Sequence, residues 1–174
     1  RARMYTRWRW RTKDLSSSDM LLASDQRVED GQSLTFDSPP LEGPMEILGA
    51  PVLDISVSVN KPNAILAVRL NDVAPDGASA QVTYGLLNLT HRGGHENVTP
   101  LEPGKRYSVR VDLNDIAHAF PVGHRIRVAI STTYWPRVWP SPEAVTLTVY
   151  QSESRLELPV RPPRYEDADL PAFP

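Results

Sequence analysis

The stretch "YWPRVWPSPE" sets Trp135 and Trp139 on either side of Arg137, in a segment stiffened by Pro136, Pro140 and Pro142. Exposed indoles beside a guanidinium on a stiff loop can stack on a sugar, close a pocket, or meet a partner domain. They can equally plug a corner of a fold. Four histidines are the next candidates. His91 and His95 in "HRGGHE" have the spacing that places two ligands on one face of a helix. Gly93 and Gly94 argue against a helix and no H-E-x-x-H order is present, so a surface loop is the expectation. His118 sits in a connection before Phe120, and His124 follows Gly123 at the mouth of a strand. His124 is expected to be structural, donating to loop backbone. Asp72 and Asp76 in "NDVAPDG" lack the ligand order of an EF-hand, and an Asx-turn feeding a hairpin explains both without a metal.

Nucleophiles are no better placed. A G-x-S-x-G elbow between strand and helix is absent, and Ser16, Ser17 and Ser18 form a polar triplet typical of loops. The chain has no cysteine, which removes thiolate nucleophiles, disulfides and cysteine-based zinc sites together. Neither a catalytic residue, a metal ligand nor a cofactor-binding residue is therefore expected, and no cofactor. "NLT" at Asn88 and "NVT" at Asn97 match the glycosylation sequon, and are read as chance matches.

The elements that would position these residues are strands. Leu53, Ile55, Val57 and Val59 alternate with Asp54, Ser56 and Ser58. Tyr107, Val109, Val111 and Leu113 alternate with Ser108, Arg110 and Asp112, and the same period recurs in "RIRVAIS" (125–131) and "VTLTVY" (145–150). Successive side chains of a strand point to opposite faces, so these runs have one dry and one wet side. "AILAVRL" (64–70) and "QVTYGLLNL" (81–89) are more continuously apolar, as interior strands are. Asp76-Gly77, Gly93-Gly94, Pro103-Gly104 and Gly123 mark the turns. One helical turn around "NDIAHAF" is the sole helix expected. Eight or nine short strands with proline-rich corners predict an all-β, antiparallel β-sandwich, most simply a jelly roll.

Bulk properties agree with this. The chain has 174 residues, the size of one domain, with 40% hydrophobic and 23% charged residues and a formal net charge of −2. No apolar run reaches the roughly 18–20 residues that cross a bilayer, and no secretory signal is evident, so neither a membrane partner nor export is expected and a cytoplasmic location is favoured. The opening "RARMYTRWRWRTK" carries six basic residues and two tryptophans. Met4, Thr6, Trp8, Trp10 and Thr12 share one face of an extended chain and Arg7, Arg9 and Arg11 the other, which suits a lead-in strand. A nucleic-acid surface would have to continue elsewhere, whereas Asp14, Asp19, Asp25, Glu29 and Asp30 reverse the sign. The expected organisation is a single domain over 1–174: a lead-in strand at 1–13, the sandwich at 14–160 and a proline-rich tail at 161–174, cut from a longer protein.

Two long stretches carry a resemblance. "LNDVAPDGASAQVTYGLLNLTHR" and "PLEPGKRYSVRVDLNDIAHAFPVGHRIRVAISTTYWP", preceded by "SLTFDSPPLEGPMEILGAPVLDISVS", closely resemble the C-terminal β-sandwich domain of the X-Pro dipeptidyl-peptidase and cocaine-esterase (CocE/NonD) hydrolases. The resemblance runs from about Ser33 to Val160. It implies a galactose-binding-like jelly roll packed on an upstream α/β-hydrolase domain that holds the Ser-Asp-His triad. The chain alone is then expected to be inactive, with the sandwich covering part of the substrate cleft. Its parent would hydrolyse an ester or amide by acyl transfer. Trp135, Arg137 and Trp139 are the expected contacts with a ligand or the partner domain. Self-association through sandwich edges is left open. The alternative is an independent carbohydrate-binding module with Trp135 and Trp139 as its platform.

Overall fold

The computed structural model describes residues 25–162 and 164; the lead-in stretch at 1–13, Ser16, Ser17, Ser18 and most of the tail lie outside the described residues. A short helix, α1 (Arg27–Asp30), precedes ten strands: β1 (Leu34–Asp37), β2 (Met45–Gly49), β3 (Val52–Val59), β4 (Ile65–Val73), β5 (Ser79–Asn88), β6 (Arg106–Asp112), β7 (Ile116–Phe120), β8 (Arg125–Ser131), β9 (Leu147–Val149) and β10 (Arg155–Glu157). Every strand pairing among them is antiparallel. The expected all-β antiparallel sandwich is what forms.

One sheet runs β1-β8-β4-β5, a second runs β10-β3-β6 with β9 also on β3, and β2 and β7 make a third, two-stranded sheet. Pairings are nested along the chain: β1 with β8, β2 with β7, β3 with β6 and β4 with β5. The alternation in the sequence becomes the core, although on β3 the face expected to be wet is covered too, with Ser56 and Ser58 buried. Leu53, Ile55 and Val57 of β3 and Val109 and Val111 of β6 face Leu66, Val68 and Leu70 of β4 and Val128 and Ile130 of β8 in one buried cluster. Burying each such aliphatic side chain is worth about 1.5–3 kcal/mol. The two layers come close at Gly85 of β5, where an added Cβ would lie 2.8 Å from the Asp112 carbonyl oxygen. That position accepts no side chain without moving backbone.

Two departures from the sequence reading matter. "NDIAHAF" is not helical: Ile116, His118 and Phe120 point inward and Ala117 and Ala119 outward along β7. Alternation of large and small residues, rather than of apolar and polar ones, carries that strand's period. β4 is buried along its whole length, including Arg69, Asn71 and Asp72. Arg69 and Asn71 are covered because α1 and the segment after β8 lie across the outer face of this sheet, whereas Asp72 points inward to His118 and His124. The hairpin expected at Asp76-Gly77 is present: Gly77 has φ +87° and the Ala78 amide donates to Asp76 Oδ1, the Asx-turn that was expected for Asp76.

Candidate functional site

The loop after β8 is built on a bulge in β5. Register along β4 and β5 passes from Leu70↔Thr83 to Asn71↔Gln81, so Val82 is an extra residue. A bulge of this kind re-aims side chains. Gln81 and Tyr84, three apart and otherwise destined for opposite faces, therefore share the outer face with Arg69. Tyr134 lies across them: its hydroxyl donates to Gln81 Oε1 at 2.8 Å, its ring meets that of Tyr84 edge-on at 5.6 Å, and the Arg69 guanidinium sits 5.7 Å from its centroid. Burial pushes the Tyr134 hydroxyl above its usual pKa, with the Gln81 hydrogen bond acting in the opposite direction. It stays a neutral donor through the physiological range.

From this anchor the loop turns outward. The Val138 amide donates to the Tyr134 carbonyl, the Trp135-Pro136 bond is cis, and Trp135 and Trp139 pack edge to face at 5.3 Å with 71° between their planes. Arg137 reaches back over the Tyr84 ring at 5.2 Å. The three residues singled out from sequence thus belong to one cluster. Trp139 is 77% exposed, a large apolar surface on an otherwise pinned loop. Tyr84 and Gln81 are members that the sequence reading missed, since the bulge that recruits them has no local signature.

Beside this loop, on the same outer face, lies a polar cluster that was also missed. Asp30 of α1 accepts from Arg69 Nη2 at 3.2 Å, Asn71 Nδ2 at 2.9 Å, Ser79 Oγ at 2.7 Å and Arg127 Nη1 at 3.1 Å. Arg69 also donates to Gln26 Oε1 and Ser33 Oγ. Arg127 makes two bonds of 2.7 Å to Asp37, which hold the Asp37 carboxyl below the ordinary range. Arg69 and Asp30 are each 3% exposed at the side chain, so the centre of the cluster is closed to solvent, with Arg127 and Asp37 at its rim.

At the other end of β4, His124 is structural as expected but its partner is different. Its Nδ1 lies 2.7 Å from Asp72 Oδ1, and His118 Nε2 lies 3.0 Å from Asp72 Oδ2. One buried carboxylate on the inward face orients both rings, where loop backbone had been expected for His124 and an Asx-turn for Asp72. Three strands have to assemble before that contact exists. Asn88 of the first sequon caps a 3-10 turn, its Oδ1 accepting from the Thr90 amide at 3.0 Å. Among the described residues no group of three or more His, Asp or Glu is arranged to hold a metal.

The aromatic loop is thus a presented surface, and comparison with known proteins gives the domain its family. Residues 9–165 match the family described as the X-Pro dipeptidyl-peptidase C-terminal non-catalytic domain. A Mycobacterium bovis protein named for a proposed serine esterase activity is 30% identical over 178 residues, covering 90% of this chain and 28% of that protein. The cocaine esterase of a Rhodococcus species is 29% identical over 104 residues, covering 60% of this chain and 18% of the esterase. Among solved structures, an α-amino acid ester hydrolase superposes with a TM-score of 0.69 at 27% identity, over 79% of this chain and 27% of that one. The chain therefore spans less than a third of the length of these relatives. It belongs to the family of non-catalytic C-terminal domains of X-Pro dipeptidyl-peptidases and CocE-like hydrolases.

Proposed function

We propose that this domain packs against an α/β-hydrolase domain of a longer parent chain and frames its substrate cleft, with Trp135, Arg137 and Trp139 as the contact loop. The parent is read as a serine hydrolase of esters or X-Pro amides. The observation that carries the reading is Trp139, left 77% exposed on a loop whose base is fixed by Tyr134, Tyr84 and Gln81. Large exposed aromatics on rigid supports are what interface centres are made from. The nested pairing of β1 with β8 through β4 with β5 supports the finer description of the sandwich as a galactose-binding-like jelly roll. Association between copies through the outer strands β5 and β6 belongs to the same reading, and sedimentation of the parent tests it.

The carbohydrate-module alternative fares less well. A sugar platform needs aromatic faces open to the ligand, and here the two indoles are packed edge to face against each other.

The test has two arms. The isolated chain is assayed on a chromogenic ester and an X-Pro anilide, and serine-dependent turnover would overturn its non-catalytic role. In the parent, Trp139→Ala is compared with the wild type: altered KM or kcat with an unchanged unfolding midpoint supports the cleft contact. Kinetics identical to the wild type sink it. Heat or indole fluorescence change on titration with a sugar panel would restore the alternative.

A further inference from the structure

All four histidines of the chain lie among the described residues, and they form two unlike pairs. His118 and His124 are spent on Asp72. His91 and His95 meet each other instead, Nδ1 to Nδ1 at 2.9 Å, with ring centroids 5.1 Å apart and 57° between planes. The spacing suits one face of a helix, which Gly93 and Gly94 argue against, and a surface loop was the expectation. A turn brings the rings together: the Gly94 amide donates to the His91 carbonyl, and Gly94 at φ +112° reverses the chain. Positive φ is cheap only for glycine.

The turn is braced from below. Asn88 caps Thr90, the Thr99 amide donates to the Thr90 carbonyl, and Arg92 lies between the two histidines in sequence yet points away from them. Its guanidinium donates to the Leu89 and Thr99 carbonyls and stacks over Tyr107 at 4.5 Å. Both imidazoles are therefore offered from a tied-down backbone, His95 exposed and His91 half-buried.

We propose that His91 and His95 form a two-imidazole site for a divalent copper or nickel ion. Metal–imidazole bonds are about 2.0–2.1 Å long, so nitrogens 2.9 Å apart subtend about 90° at a shared metal. That is the angle between neighbouring ligands of a tetragonal copper or nickel centre; tetrahedral zinc wants them about 3.3 Å apart. Without metal, one Nδ1 donates to the other. On binding, the donor ring shifts its proton to Nε2 through solvent and both rings turn so that their Nδ1 lone pairs meet at the metal, which sits to one side of the line between them. No proton is lost overall. Water fills the remaining positions.

The chain is titrated with copper(II) sulfate and with zinc sulfate, following heat and the histidine imidazole resonances. One copper ion per chain is expected, bound more tightly than zinc, with paramagnetic broadening at His91 and His95 while His118 and His124 stay sharp. His91→Ala and His95→Ala should each weaken copper binding at least about tenfold, since loss of even an outer-shell partner of a ligand costs that much. Their unfolding midpoints should match the wild type, because neither ring supports the core. No saturable copper binding, wild-type affinity in the double variant, or broadening centred on His118 and His124 would each overturn the proposal.

Discussion

The outer face of the β1-β8-β4-β5 sheet holds two clusters that share Arg69 and yet have opposite characters. Around Asp30 every partner is polar, four donors converge on one carboxylate, and the centre is closed off. Around Tyr134 ring contacts to Tyr84 and Arg69 dominate, the side chain makes one hydrogen bond, to Gln81, and the far end stands in solvent. A buried ion pair stripped of one partner is costly, because the other charge is left without water or counter-charge. An exposed indole costs the fold little to remove. The first cluster is there for folding, and the second is free to serve something outside the domain.

This contrast can be broken experimentally, and the largest effect is expected at Asp30. Asp30→Ala strips Arg69 of its counter-charge, leaving it only Gln26 and Ser33, removes the acceptor of Asn71 Nδ2, and should lower stability to urea by about 3–5 kcal/mol. A loss under 1 kcal/mol would mean that water replaces the carboxylate and that the cluster is not closed. A pH series sharpens the same side. Arg127 holds the folded Asp37 carboxyl below its usual value. The stabilisation it confers is thus fully present above the ordinary carboxylate range, near pH 3.9, and is lost as the pH falls through the lowered value. The stability gap between wild type and Asp37→Asn should therefore be open at pH 7 and close in acid; a gap that does not change with pH would contradict the assignment.

Smaller effects are expected on the aromatic side. Tyr134→Phe removes the bond to Gln81 and should cost about 0.5–1.5 kcal/mol in urea unfolding, with the ring contacts to Tyr84 and Arg69 retained. Indole fluorescence should then report a looser Trp135–Trp139 pair. The least effect belongs to Trp139→Ala, within about 0.5 kcal/mol of wild type by the same measurement. A large loss there would show that the loop is a structural plug, and would remove the basis for reading it as a contact surface.

Much of the frame was legible from residue order. The dry faces of β3, β6 and β8 follow from period-two alternation, and the β4-β5 hairpin follows from Asp76-Gly77. Where alternation was between large and small residues, as in β7, a helix-like turn was expected in place of a strand. Of the candidate site, Trp135, Arg137 and Trp139 were visible by composition. Tyr84, Gln81 and Tyr134 became members through a one-residue bulge and a loop folding back over the sheet. Neither leaves a local trace. Asp30 looked like one more surface acid, and Asp72 like a turn residue.

What this chain's sequence determined unaided was that it builds antiparallel layers, because side-chain alternation and turn chemistry act between near neighbours. Which polar residues would be buried together was decided only by tertiary structure. Asp30 finds Arg127, Asp72 finds His124 and Tyr134 finds Gln81 across 97, 52 and 53 positions. A charge or hydroxyl that far away in the chain has no influence until the sheet has brought it within hydrogen-bonding reach.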